Sequence, residues 1–119
     1  MIRHIVLFAA RDPADREAML EGLALLTGIA HADVIEVAQN KKIDHLGNDA
    51  DVVVYAEFAT EAALAAFKAD PLYQESIRRV RPLRELRIAA DYDSATAATG
   101  ARARLRPSRR SAKRARTHA

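Results

Sequence analysis

The residues best suited to chemistry in this chain are His4, inside the apolar run Ile2–Ala9, and Tyr73, just past the Asp70-Pro71 break. An imidazole in hydrocarbon surroundings can act as a general base or as a polar anchor for a ligand. A phenol can donate a hydrogen bond to a developing oxyanion but is a weak base at neutral pH. Alternation along an extended run places Ile2, His4, Val6 and Phe8 on one side, so Val6 and Phe8 are expected to line a pocket around His4. Phe67 supplies a further apolar wall, and Arg87, between Leu86 and Ile88, can bind an acid group of a ligand. His4 and Tyr73 are therefore the catalytic candidates, and Val6, Phe8, Phe67 and Arg87 the ligand-binding candidates. Each has a plainer structural reading. A lone buried histidine is commonly a core residue bonded to a neighbour, and a rim arginine commonly pairs with a carboxylate.

The other polar residues exclude several classes of chemistry. Without cysteine there is no disulfide, no thiolate nucleophile and no cysteine-ligated metal. His31 and His45 lie in or beside loops, His118 lies near the C-terminus, and no set has metal-ligand spacing, so no metal is expected. Asp44, His45, Asp49 and Asp51 share one polar stretch and read as solvated loop groups. There is no phosphate-binding glycine loop, dinucleotide fingerprint or nucleophile elbow, so no cofactor is expected.

Punctuation and period define the elements that must hold these side chains. An apolar strand runs from Ile2 to about Ala9. Asp12 and Pro13 then read as the cap and first turn of a helix that carries Met19, Leu20, Leu23 and Leu26 until Gly28. Ala32–Gln39 and Asp51–Phe58 read as strands separated by a polar loop, with Val52, Val54, Ala56 and Phe58 on one face and Asp51, Val53, Tyr55 and Glu57 on the other. Thr60 caps a helix with Leu64 and Phe67, and Pro71 opens a second with Leu72, Tyr73 and Ile77. A last strand after Pro82 holds Leu86, Ile88 and Ala90.

This βαββ(αα)β order predicts an α+β fold, a ferredoxin-like sandwich with a four-stranded antiparallel sheet and its helices on one side. The first and third strands are apolar on both faces, so the helix-free face needs cover. The simplest cover is the same face of a second copy, which predicts a homodimer.

Charge is divided unevenly along the 119 residues. All 16 acidic residues precede Ser94, together with 11 of the 19 basic ones, whereas the other eight basic residues follow it without an acid. The expected division is an acidic domain over 1–93 and a basic extension over 94–119. The extension, with Leu105 as its one large apolar residue, lacks the means to build a core and is expected to be disordered. Its cations can contact polyanions weakly and without sequence selectivity, since no aromatic residue is present for base stacking. No run has the length of a membrane span, and the lack of cysteine is compatible with a cytoplasmic protein.

Three segments resemble the stress-responsive α/β-barrel domain (Dabb) family: IRHIVLF from Ile2, FATEAALAAFKADPLY from Phe58 to Tyr73, and VRPLRELRIAADY from Val80 to Tyr92. The resemblance spans about residues 1 to 93 and rests on the strand histidine His4, the acid-Pro pair Asp70-Pro71 and the closing Asp91-Tyr92. It implies a dimeric α+β barrel of two ferredoxin-like sheets. Members include plant stress proteins and a polyketide cyclase, a lyase-like activity that needs a base and an enolate donor. The cyclase-like pattern reads His-Pro-x-His where this chain has Asp70, Pro71, Leu72 and Tyr73, and places a tyrosine where this chain has Phe67. The resemblance therefore carries fold further than activity. The expected function is binding of a small, partly apolar molecule between sheet and helices, with the question of catalysis open. The alternatives are a non-catalytic stress-associated structural protein and a cyclase-like lyase.

Overall fold

Local signals place each element of the computed structural model, which describes residues 1–100. The first strand, β1, is Ile2–Ala10; α1 is Arg16–Ala24, β2 Val34–Gln39, β3 Val52–Phe58, α2 Glu61–Ala69, α3 Pro71–Val80 and β4 Arg84–Asp93. Asp12 accepts from the Ala14 N–H and Pro13 follows it, but they open a short 3-10 turn, Pro13–Asp15, before α1 begins. A second such turn, Leu25–Gly28, replaces the last turn expected of that helix. Thr60 accepts from the Ala63 N–H to cap α2, and Asp70 accepts from the Leu72 N–H to cap α3 with Pro71 at its first position. The Asp70 carboxylate is thus occupied in ending one helix and starting the next.

The strands form one antiparallel sheet in the order β2-β3-β1-β4, with β4 at an edge. Helices cover one face only. Val6, Phe8, Val52, Val54, Ala56 and Phe58 project from that face onto Met19, Leu23 and Leu26, Phe67 of α2 and Val80 of α3. Phe58 and Phe67 are fully buried with ring centroids 5.1 Å apart in an edge-to-face pair. Burial of each such side chain contributes about 1.5–3 kcal/mol. Helix α1 meets α3 at Gly22, where an added Cβ would stand 2.9 Å from a Val80 methyl. The Gly22 carbonyl there accepts a buried hydrogen bond from Ser76 Oγ at 2.9 Å.

The opposite face is of mixed character rather than apolar throughout. Register sets Leu7 between Val53 and Ile88, and Ala9 beside Leu86, which makes one end hydrocarbon. At the other end Arg3 lies between Glu57 and Tyr92, and Ile5 lies beside Tyr55. The Tyr55 hydroxyl donates to Glu57 Oε2 at 2.5 Å, and Arg3 Nε is buried without a hydrogen-bond partner among the described residues. Ile88 and Tyr92 remain substantially exposed.

Asp51 departs most from its sequence reading. It precedes β3 rather than joining it, and its side chain is buried instead of solvated. Its carboxylate accepts from the Ala10 N–H at 2.8 Å and Lys42 Nζ at 2.7 Å, and Arg16 Nε lies 3.0 Å away. Lys42 reaches it from a loop position with a left-handed φ of 55°, braced by the Asn40 side chain accepting from the Lys42 N–H. Burial alone pushes the Asp51 carboxyl up, but the Lys42 and Ala10 hydrogen bonds and the charges of Lys42 and Arg16 hold it below its ordinary value. Among the described residues no group of three or more potential ligands is placed to hold a metal.

Past Asp93 the chain enters a 3-10 turn, Ser94–Thr96, capped by the Asp93 side chain and tied by the Ser94 N–H to the Met1 carbonyl. The expectation of a disordered extension falls, from residue 101 on, outside the described residues. No helix among the described residues is long and apolar enough to cross a membrane.

Candidate functional site

A cleft opens between β1, the edge strand β4 and helix α3, and its lining gathers His4, Val6, Phe8, Phe67, Tyr73 and Arg87. Strand alternation explains the first three, and antiparallel pairing explains Arg87, which lies opposite Phe8 and shares its face. Ala89, opposite Val6, is small and exposed, so this side of the sheet lacks a roof along β4. Phe67 forms the floor. It is fully buried, and its ring meets Tyr73 edge-to-face at 5.6 Å.

His4 is 2% exposed, and its Nδ1 lies 2.5 Å from Asp91 Oδ1. An ionised carboxylate only accepts, so Nδ1 carries the hydrogen, and in the neutral ring the lone pair is left on Nε2. The Phe58 ring stands edge-to-face with the imidazole, their centroids 6.3 Å apart. The half-exposed Asp91 carboxylate thus fixes the orientation of the buried His4 ring. Tyr73 is half-buried and lies on the first turn of α3, where the Asp70 cap fixes the backbone.

Two polar contributors escaped the sequence reading. Asp91 stood in the closing Asp-Tyr pair without being assigned to His4, since the pairing register of two strands 87 positions apart is not written in either strand. Arg84 lines the cleft beside Arg87, and no carboxylate lies within ion-pair distance of either among the described residues. The expected rim pairing of Arg87 is therefore not formed. Burial pushes the Arg84 pKa down, and the nearby Arg87 and Arg81 charges push it the same way. The cleft's cavity volume is about 30 Å³, room for one or two waters, so any larger occupant must move Tyr73 and the arginine side chains aside.

An antiparallel β2-β3-β1-β4 sheet with helices on one face, and a buried histidine on the strand beside the edge, define a ferredoxin-like α+β domain. The family model of the stress responsive A/B barrel domain, Dabb, matches residues 2–94, and the chain belongs to that family. Among solved structures it is similar to a Dabb family protein with a ferredoxin-like fold from Mesorhizobium loti, at 23% identity, TM-score 0.64, covering 77% of this chain and 94% of that one. It is also similar to a dimeric protein of unknown function from Bacteroides fragilis, at 23% identity, TM-score 0.63 and the same 77% and 94% coverage. A third similar structure is At3g17210 from Arabidopsis thaliana, at 18% identity and TM-score 0.65, covering 83% of this chain and 100% of that one. No curated protein matches the sequence.

Proposed function

We propose that this Dabb domain acts as a homodimer, and that each protomer binds a small, partly apolar molecule in the cleft beside His4. The observation that carries the cleft reading is the His4–Asp91 pair. A polar, directionally fixed imidazole at 2% exposure borders a cleft whose apolar walls include Val6, Phe8 and Phe67. Polar groups placed sparsely on an apolar wall orient a ligand whose main affinity comes from hydrocarbon contact. In a reaction, His4 Nε2 would take a proton from the bound molecule and Asp91 would stabilise the resulting imidazolium.

Pairing through the helix-free face is supported by its hydrocarbon end, Leu7, Val53, Leu86 and Ile88, and by the similar B. fragilis structure, described as dimeric. A cytoplasmic setting fits the absence of cysteine. The basic segment from Arg102 on is read as a solubilising extension able to contact polyanions weakly.

The test of the cleft is a titration of isotopically labelled protein with 2-naphthol, followed by amide NMR shifts. Shifts centred on Val6, Phe67, Tyr73 and Arg87, lost on substituting Ile77→Trp to fill the cleft, support the reading. Shifts confined to the helix-free face, or none, overturn it in favour of a barrel whose interior is closed by packing.

A further inference from the structure

The two ends of the cleft differ in charge. Arg87 lies opposite Phe8 and Asp91 opposite His4, four positions apart on the same face of β4. That separates their backbones by about 13 Å at about 3.3 Å per residue. Toward Asp91 the carboxylate is already engaged, accepting from the buried imidazole. The arginine end is not. Among the described residues Arg84 and Arg87 both line the cleft without a carboxylate partner, while Glu75 is engaged by Arg78 and Arg79 and Asp70 by the α3 cap. Arg84 is half-buried, and the Arg11 guanidinium donates to its carbonyl at 3.2 Å, which braces its backbone and brings one more cation to that end.

From this arrangement we infer that the cleft's ligand is a carboxylic acid, its carboxylate held by Arg84 and Arg87 and its far end presented to His4. A carboxylate is planar, matches the guanidinium fork side-on and suits a narrow slot. The apolar body between the two ends lies along Val6, over the gap left by Ala89 and against Phe67. Burial and the Arg87 and Arg81 charges push the Arg84 pKa down, and a bound carboxylate would offset both.

The inference rests on the cleft reading above and is tested separately from it by comparing 2-naphthoate with its neutral isostere 2-naphthamide on the full chain. The expected result is a preference of about tenfold for the acid, with shifts mapping to the cleft, weakened by added salt for the acid alone. In an Arg84→Gln, Arg87→Gln double variant the preference for the acid over the amide is lost. Equal binding of acid and amide to the native chain overturns the carboxylate assignment and leaves the cleft intact. So does a preference that survives the double variant, or acid-induced shifts confined to residues after Ser94. Failure of both probes to bind overturns the assignment together with the cleft.

Discussion

The Asp91 carboxylate holds the imidazole of His4 at 2.5 Å across two paired strands, so that a half-exposed acid sets the hydrogen position of a fully buried base.

Replacing Asp91 with Ala removes that control. Nitrogen NMR of the native chain should show His4 as one tautomer with the hydrogen on Nδ1, and the variant should show a mixture. The buried ring then lacks a partner, which costs about 1–3 kcal/mol in denaturant unfolding. A native tautomer retained in the variant would disprove the orienting role.

Asp51 predicts a definite acid response. Its folded pKa is depressed below the ordinary 3.8, so it binds its proton more weakly folded than unfolded. The stability this supplies is present in full above the unfolded value and is lost as pH falls through the folded one. Asp51→Asn should therefore lower stability at neutral pH by about 2 kcal/mol and flatten the loss seen below pH of about 4. Parallel acid-unfolding curves for variant and native chain would count against it.

Gly22→Ala should destabilise, although alanine favours a helix over glycine by about 1 kcal/mol. The new Cβ would press to 2.9 Å on a methyl of buried Val80 and to 3.3 Å on the Arg79 Cβ. Overpacking a β-branched neighbour costs about 1–3 kcal/mol, so the net change is a loss measurable as a lower denaturant midpoint. A raised midpoint would show that α1 and α3 can separate freely.

The proposed dimer makes Ile88 and Leu7 the residues to change. Each sits at the hydrocarbon end of the helix-free face, where register aligns them side by side. Light scattering should give twice the 13.1 kDa chain mass for the native protein and a single-chain mass for Ile88→Lys with the fold retained. A native protein that scatters as one chain removes the dimer.

Much of the fold was legible because its signals are local. Asp12 and Thr60 each announced a start by a side chain able to accept from the backbone two or three residues on, and Pro71 announced the opening of α3. The Ile2–Ala9 alternation likewise put His4, Val6 and Phe8 on the face that the structure buries. Asp51 was misjudged for the opposite reason. Its surroundings in sequence are polar loop, and the partners that bury it, Ala10, Arg16 and Lys42, converge only when β1, α1 and the loop meet.

Periodicity, capping residues and the two-sided apolar strands determine, from the sequence by itself, the order βαββ(αα)β, the residues that share a face and the uneven spread of charge. Those properties depend on neighbours within a few positions. Tertiary structure alone decided that Asp91 answers His4, that Arg84 joins Arg87 in the cleft, and that the helix-free face is polar at the Arg3 end. Each follows from strand register, which is set by the packing of the whole core and carries no mark in any one segment.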